Sequence, residues 1–101
     1  MNRTKYRISA NAVEDLNKIW LFTFENWSIE QADRYYKLIV DEIDFIADNK
    51  LSGKPIDHIR KGYRVSIVKS HLIFYRIQTD GVVEVIRILH QRMDVDSRLI
   101  E

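Results

Sequence analysis

The chain has no cysteine, one proline and three glycines among its 101 residues. Without cysteine there is no disulfide framework and no thiolate metal site. No glycine-rich phosphate loop, HExxH helix, nucleophile elbow or EF-hand loop occurs. The histidines His58, His71 and His90 lack the close spacing of a metal site. No apolar run approaches the roughly 20 residues that cross a bilayer, and MNRTKYRIS has no apolar leader core. An excess of charge of one sign is also missing. The net charge is +1, whereas dedicated nucleic-acid binders usually carry a strong basic excess. These absences lead us to expect a soluble cytoplasmic domain spanning residues 1–101. It should need no cofactor or metal, touch no membrane and read no nucleic-acid sequence.

What is present is a large aromatic load and an uneven distribution of charge. Eleven aromatics are many for this length, and 46% of residues are hydrophobic. Some of these rings should reach the surface at a binding site. Residues 1–50 carry a net −2 and residues 51–101 a net +3, with every histidine in the second half. A polarised surface of this kind suits a protein partner or an acidic target.

Periodicity predicts the order β-α-α-β-β-β, an α+β domain. Lys5 to Ser9 alternates as a short strand, and Ser9 offers an N-cap oxygen. A first helix is expected over Ala10 to Asn26, with Val13, Leu16, Trp20, Phe24 and Trp27 as its apolar stripe. Glu14 and Asp15 near its start suit the helix dipole. Ser28-Ile29-Glu30-Gln31 reads as a capping box opening a second helix to about Asp48. Its stripe is Ala32, Tyr35, Tyr36, Ile39, Val40, Ile43 and Ile46. The short link makes the helices antiparallel neighbours, and a sheet must cover the apolar surface they leave. Residues 49–62 should form a long loop. Strands follow at Tyr63 to Lys69, His71 to Gln78 and Val82 to Leu89, with a type I′ turn expected at Asp80-Gly81. Leu72-Ile73-Phe74-Tyr75 is continuously apolar, as for a strand covered on both faces. The tail 91–101 is polar with an apolar end at Leu99-Ile100.

Arg76, Arg87, His90 and Arg92 are expected to gather at one end of the sheet. The arginines could hold phosphate or carboxylate bidentately; the plainer reading pairs them with Glu84, Asp94 or the acidic hairpin. His90 could act as a general acid; the plainer reading is a strand-end histidine bonded to the backbone. Tyr75 could stack on a base, but a central-strand tyrosine is usually core. Trp20, Phe24 and Trp27 also read as core more readily than as interface, and Ser70 and His71 read as turn residues.

In order and spacing the chain resembles the ParE toxins of the RelE/ParE superfamily over nearly its whole length. The resemblance is carried by Tyr6-Arg7-Ile8-Ser9, Asp15-Leu16, Ile19-Trp20, Trp27, Gln31-Ala32 and Tyr35-Tyr36, then by Gly53-Lys54-Pro55 and Gly62-Tyr63-Arg64. Its most specific segments are His71-Leu72-Ile73-Phe74-Tyr75-Arg76 and Arg87-Ile88-Leu89-His90-Gln91-Arg92-Met93-Asp94. It implies a helical hairpin on a twisted antiparallel sheet. It also implies a ParD-type antitoxin that wraps and neutralises the toxin in a hetero-oligomer, with DNA gyrase as target. Relatives of the RelE kind instead cut ribosome-bound messenger RNA, using basic sheet residues and a terminal Tyr or His.

A ribosomal nuclease must stabilise a pentacovalent phosphate with convergent cations in a positive field. Here the net charge is small, and no Tyr follows the last strand. The expectation is therefore a non-enzymatic gyrase inhibitor that stabilises cleaved gyrase–DNA complexes and contributes to plasmid stabilisation. Arg76, Arg87, Arg92, Met93 and Asp94 are the expected target-binding residues; Trp20, Phe24 and Tyr36 should meet the antitoxin. In the alternative messenger-cutting reading Arg64, Arg87 and His90 would form the catalytic set. A third class is an interaction module inactive as a toxin.

Overall fold

The computed structural model describes residues 5–100, and for Ile100 its backbone only. The first strand, β1, is Tyr6–Ile8, followed by helices α1, Ala10–Asn26, and α2, Ile29–Asp48. Both helix starts are capped as expected. Ser9 Oγ accepts the Ala12 amide at 3.0 Å, and Ser28 Oγ accepts the Gln31 amide at 3.1 Å. The loop expected over 49–62 contains a two-residue strand, β2, at Lys54–Pro55. Strands β3, Tyr63–Val68, β4, His71–Ile77, and β5, Val83–His90, follow, and the tail closes as a short helix, α3, over Val95–Ile100. The expected apolar end of that tail is buried at Leu99; the Ile100 side chain lies outside the described residues.

The sheet order is β1-β5-β4-β3-β2. β1 runs parallel to β5, pairing Tyr6 with Val83 and Ile8 with Val85. The sheet is therefore mixed, not wholly antiparallel as the resemblance implied. A helical hairpin intervenes between β1 and the remaining strands, so the first strand can lie beside the last.

Both faces of the sheet are covered, which explains the unbroken apolar run in β4. Successive strand residues point to opposite faces. Ile73 and Tyr75 join Leu16, Ile39, Ile43, Ile46, Val83 and Val85 under the helices, while Phe74 and Leu89 pack with Ile56, Tyr63 and Leu99 on the other side. Ile39, Ile43 and Ile46 are completely buried, and each contributes roughly 1.5–3 kcal/mol through burial. An Ile43→Ala change should cost about 2–5 kcal/mol.

The expected stripe of α1 is only partly the core face. Ala12 and Leu16 are buried, but Val13, Phe24 and Trp27 are exposed. Asp15 is also buried. It lies beyond the first turn and faces β5 instead of serving the helix dipole.

Two local devices shape β5. Opposite Phe74 lies Arg87, but opposite Tyr75 lies Val85, so Ile86 is the extra residue of a bulge. Strict alternation would place Arg87 in the helix-side core after Val83 and Val85. The bulge resets the parity, and Ile88 takes that position instead. The β4–β5 connection is also not a type I′ turn, which needs positive φ at both central residues. Among the described non-glycine residues only Lys69 has positive φ, so Asp80 does not qualify; Gly81 has φ 84°. The Gly81 amide donates to Gln78 O at 2.8 Å and the Gln78 amide to Val82 O at 2.9 Å. That is a turn through Thr79-Asp80 followed by a left-handed glycine, which makes a three-residue loop.

Candidate functional site

The antiparallel register decides which candidate residues meet. His71 opposes His90 at one end of the β4–β5 pair, while Arg76 opposes Glu84 near the other. His71 and Arg76 are five residue steps apart along β4, about 16 Å at roughly 3.3 Å per residue. The expected gathering of Arg76, Arg87, His90 and Arg92 at one sheet end does not form. Arg76 is ion-paired to Glu84, Nη2 to Oε1 at 3.0 Å, on an exposed surface.

Arg87 occupies a different environment again. Its Nε and Nη2 donate to the two oxygens of Asp15 at 2.8 and 2.9 Å. The same Asp15 carboxylate accepts the Ile88 backbone amide at 2.9 Å. The two side chains are only 12% and 10% exposed. β1 covers β5 only as far as Val85. Beyond that point Asp15 supplies the acceptor that a neighbouring strand would have provided. Arg87 is thus a structural residue anchoring α1 to β5, as the plainer reading had it, with the acidic hairpin as partner.

Arg64 is likewise engaged in structure. Its Nη1 donates to the carbonyls of Leu51 and Gly53, at 3.3 and 2.6 Å, and so pins the loop after α2. Arg64, Arg87 and His90 are each held by a different set of partners. Tyr75 is buried in the core, where its hydroxyl donates to Lys50 O and accepts the Gly53 amide, both at 2.8 Å.

The turn after β5 remains open. Arg92, Met93 and Asp94 are exposed, Met93 at 44%. Met93 N donates to His90 O, and Arg92 N donates to His90 Nδ1 at 3.1 Å. His90 is therefore a strand-end histidine bonded to the backbone, and it braces this turn.

The candidate antitoxin residues lie on the hairpin. Trp20 and Phe24 stack with centroids 5.3 Å apart. Trp20 Nε1 donates to Asp33 Oδ1 at 2.9 Å, linking α1 to α2. Tyr36, Asn17, Trp20 and Asp33 line a shallow depression.

The larger concavity was not anticipated. It measures about 600 Å³ and lies where the hairpin's connected end meets the sheet end. Ile19, Phe22, Thr23 and Trp27 form one wall, Gln31 and Tyr35 another, and Ser70, His71 and His90 the floor, with Lys18 at the rim. Phe22 and Trp27 are 61% and 68% exposed. His71 is not merely a turn residue. Its ring meets that of His90 edge-on at 5.2 Å, and its Nδ1 lies 2.6 Å from Tyr35 Oη. Burial, aided by the neighbouring His90, lowers its pKa to about 4. Burial likewise raises the pKa of Tyr35, against hydrogen bonds to Ser70. A sequence signal for this groove existed. Ile19-Trp20-Leu21-Phe22 and Phe24 make α1 apolar over a wider arc than one core face requires.

Comparison with known proteins agrees with this architecture. A family described as the ParE toxin of the type II toxin-antitoxin system, parDE, matches residues 6–95. The chain is 41% identical over 96 residues to Toxin ParE1 of Mycobacterium tuberculosis, covering 95% of this chain and 98% of that one. It is 40% identical over 95 residues to Toxin ParE1 of Caulobacter vibrioides, covering 93% and 96%. A solved structure of the chromosomal ParDE TA system from P. aeruginosa superposes with a TM-score of 0.74 at 18% identity, covering 84% of this chain and 92% of that one. The last supports the fold; together with the matched family and relatives, it leads to one conclusion: the chain belongs to the ParE family of type II toxin–antitoxin toxins.

Proposed function

We propose that the chain acts in the cytoplasm as a gyrase-directed toxin that works by binding and is neutralised by a ParD-type antitoxin. The observation that carries the non-enzymatic part is the engagement of Arg64 and Arg87. Both guanidiniums hold the fold together, which supports the reading that they do not join His90 in stabilising a pentacovalent phosphate. Gyrase as the target comes from the family resemblance. The surface we assign to it is the turn carrying Arg92, Met93 and Asp94. Arg92 makes no ion pair with another described residue and can reach an acidic side chain or a phosphate. Met93 adds an adaptable apolar contact. Arg76 belongs to a separate surface near the opposite end of β4.

The antitoxin reading rests on the hairpin. An amphipathic helix from the partner can lay its apolar face over the exposed rings of α1 and α2, with Trp20, Phe24 and Tyr36 among its contacts. Hydrogen exchange with and without the partner tests this: protection should rise across residues 10–48, and an unchanged pattern there rejects the placement.

The target is tested by supercoiling and DNA-cleavage assays with purified gyrase. Wild type should inhibit, and Arg92→Ala should weaken inhibition by about 1–3 kcal/mol if its charged bond is desolvated. No inhibition at any concentration rejects gyrase. Reproducible cuts in ribosome-bound messenger, lost in His90→Ala, would promote the messenger-cutting alternative.

A further inference from the structure

The sheet end away from Arg76 carries two turns side by side. Lys69-Ser70 joins β3 to β4, with Val68 paired to His71 across it. Residues 91–94 leave β5, whose last residue, His90, is paired to His71. Neighbouring strands lie about 4.8 Å apart. The Gln91 amide donates to Ser70 O at 2.9 Å and fastens one turn to the other. Lys69, Arg92 and Met93 are all exposed. Neither cation is ion-paired to another described residue. Asp94 is the one acid on these two turns, so together they are net positive.

Lys69 stands where the backbone favours another residue. Among the described non-glycine residues it alone has positive φ, 55°. A residue with a Cβ is strained there and glycine is not. Positive φ at the first of two central residues, and not at the second, is the pattern of a type II′ hairpin turn, which takes glycine first. The β4–β5 connection follows that rule, with Gly81 at φ 84°; the β3–β4 turn does not. Strain of this kind gathers at binding surfaces. An apolar contact adjoins it. Ile67 opposes Leu72, and Leu72 opposes Leu89, so Ile67 carries the apolar row of the α3 side out to the sheet edge. β2 pairs only with Arg64 and Val65, and Ile67 is left 67% exposed.

We propose that Lys69 is a further target-binding residue, and that the two turns and Ile67 form one surface for a protein partner that presents carboxylates beside an apolar side chain. The proposal deepens the target-binding reading and rests on it, extending that surface from the turn at 91–94 across to β3. Lysine and arginine stay charged at neutral pH, so the complementarity needs no titration. A DNA backbone would match the two cations but leave Ile67 and Met93 without an apolar counterpart. A protein surface answers both.

The test compares the full chain with its Lys69→Gly and Lys69→Arg variants. Lys69→Gly relieves the positive φ, so its melting temperature should hold or rise. The amount of protein needed to arrest growth on expression in cells, and to inhibit purified gyrase, should nonetheless rise about threefold to tenfold. Lys69→Arg should recover most of that loss, and Ile67→Thr, at an exposed strand position, should weaken both activities. Unchanged potency in Lys69→Gly overturns the proposal, as does lost potency that comes with a lowered melting temperature. Binding of wild type to a short DNA duplex alone at physiological salt, weakened by Lys69→Gly, overturns the assignment of a protein partner. Growth arrest weakened by Lys69→Gly, with no gyrase inhibition by wild type, rejects gyrase and supports this surface, so the two failures are separable. A wild type that arrests no growth removes the target and the proposal with it.

Discussion

Replacing Asp15 by alanine is the most informative perturbation of this fold. Asp15 accepts two hydrogen bonds from Arg87 and one from the Ile88 amide, and the pair is nearly enclosed. Removing one partner of such a pair leaves the other charge buried and uncompensated, at a cost of about 3–5 kcal/mol. The Ile88 amide loses its acceptor as well. A domain of this size has a total stability of roughly 5–15 kcal/mol, so Asp15→Ala should bring it close to the edge. Each kcal/mol lowers the melting temperature of such a domain by about 4–8 °C, and a loss of more than about 12 °C is expected. Arg87→Met keeps an apolar stem but leaves the Asp15 carboxylate buried with only the Ile88 amide as donor, so it too should cost about 3–5 kcal/mol. The double variant Asp15→Ala with Arg87→Met should be more stable than Asp15→Ala alone, giving a strongly non-additive cycle. Urea unfolding monitored by tryptophan fluorescence measures all four corners. Loss of under about 1 kcal/mol in Asp15→Ala, or simple additivity, would refute the claim that this pair anchors α1 to β5. Arg87→Ala should disturb the fold on the same grounds, so any loss of toxicity in that variant must be separated from loss of structure.

Two further predictions concern stability. A Cβ added at Gly53 would come within 2.6 and 2.9 Å of the Tyr75 ring atoms Cε1 and Cζ; because Tyr75 is fully buried, Gly53→Ala should destabilise by about 1–3 kcal/mol in urea unfolding, whereas an unchanged midpoint would mean the loop simply shifts. His71, with its pKa lowered to about 4 from 6.5, binds fewer protons in the folded chain than in the unfolded one. Its contribution to stability is therefore fully present above about pH 6.5 and is lost as pH falls toward 4. Unfolding midpoints across that range should decline less steeply in His71→Gln than in wild type, and identical slopes would contradict the assignment.

The order of elements was legible because their signals are local. Ser9 and Ser28 cap what their positions suggested, and the period of α2 matched its buried face closely. Most of the misreadings share a cause: they depended on a contact between residues far apart in the chain. Asp15 suited a helix start until Arg87 was placed beside it. β1 carries nothing in Tyr-Arg-Ile that specifies a parallel neighbour. The I′ turn failed because Asp-Gly is equally at home at the end of a three-residue loop, where only the glycine needs positive φ. The groove was missed because His71 and His90 are far apart in sequence, and only the register of β4 against β5 brings them together. The bulge at Ile86, which shifts Arg87 out of the core, leaves no mark on a sequence that still alternates plausibly.

The parallel pairing of β1 with β5 has a consequence for synthesis. Tyr6 waits for Val83, and Asp15 for Arg87, so the earliest elements to leave the ribosome find their partners only when the last strand has emerged. Contacts of such long sequence separation form late. Until then the hairpin exists with its inner apolar face uncovered and a carboxylate on that side unsatisfied. A nascent chain in this condition is prone to self-association, and it offers the widest apolar surface it will ever present. A protein that recognises the hairpin could therefore capture the chain before the sheet, and the turn at 91–94, has taken shape.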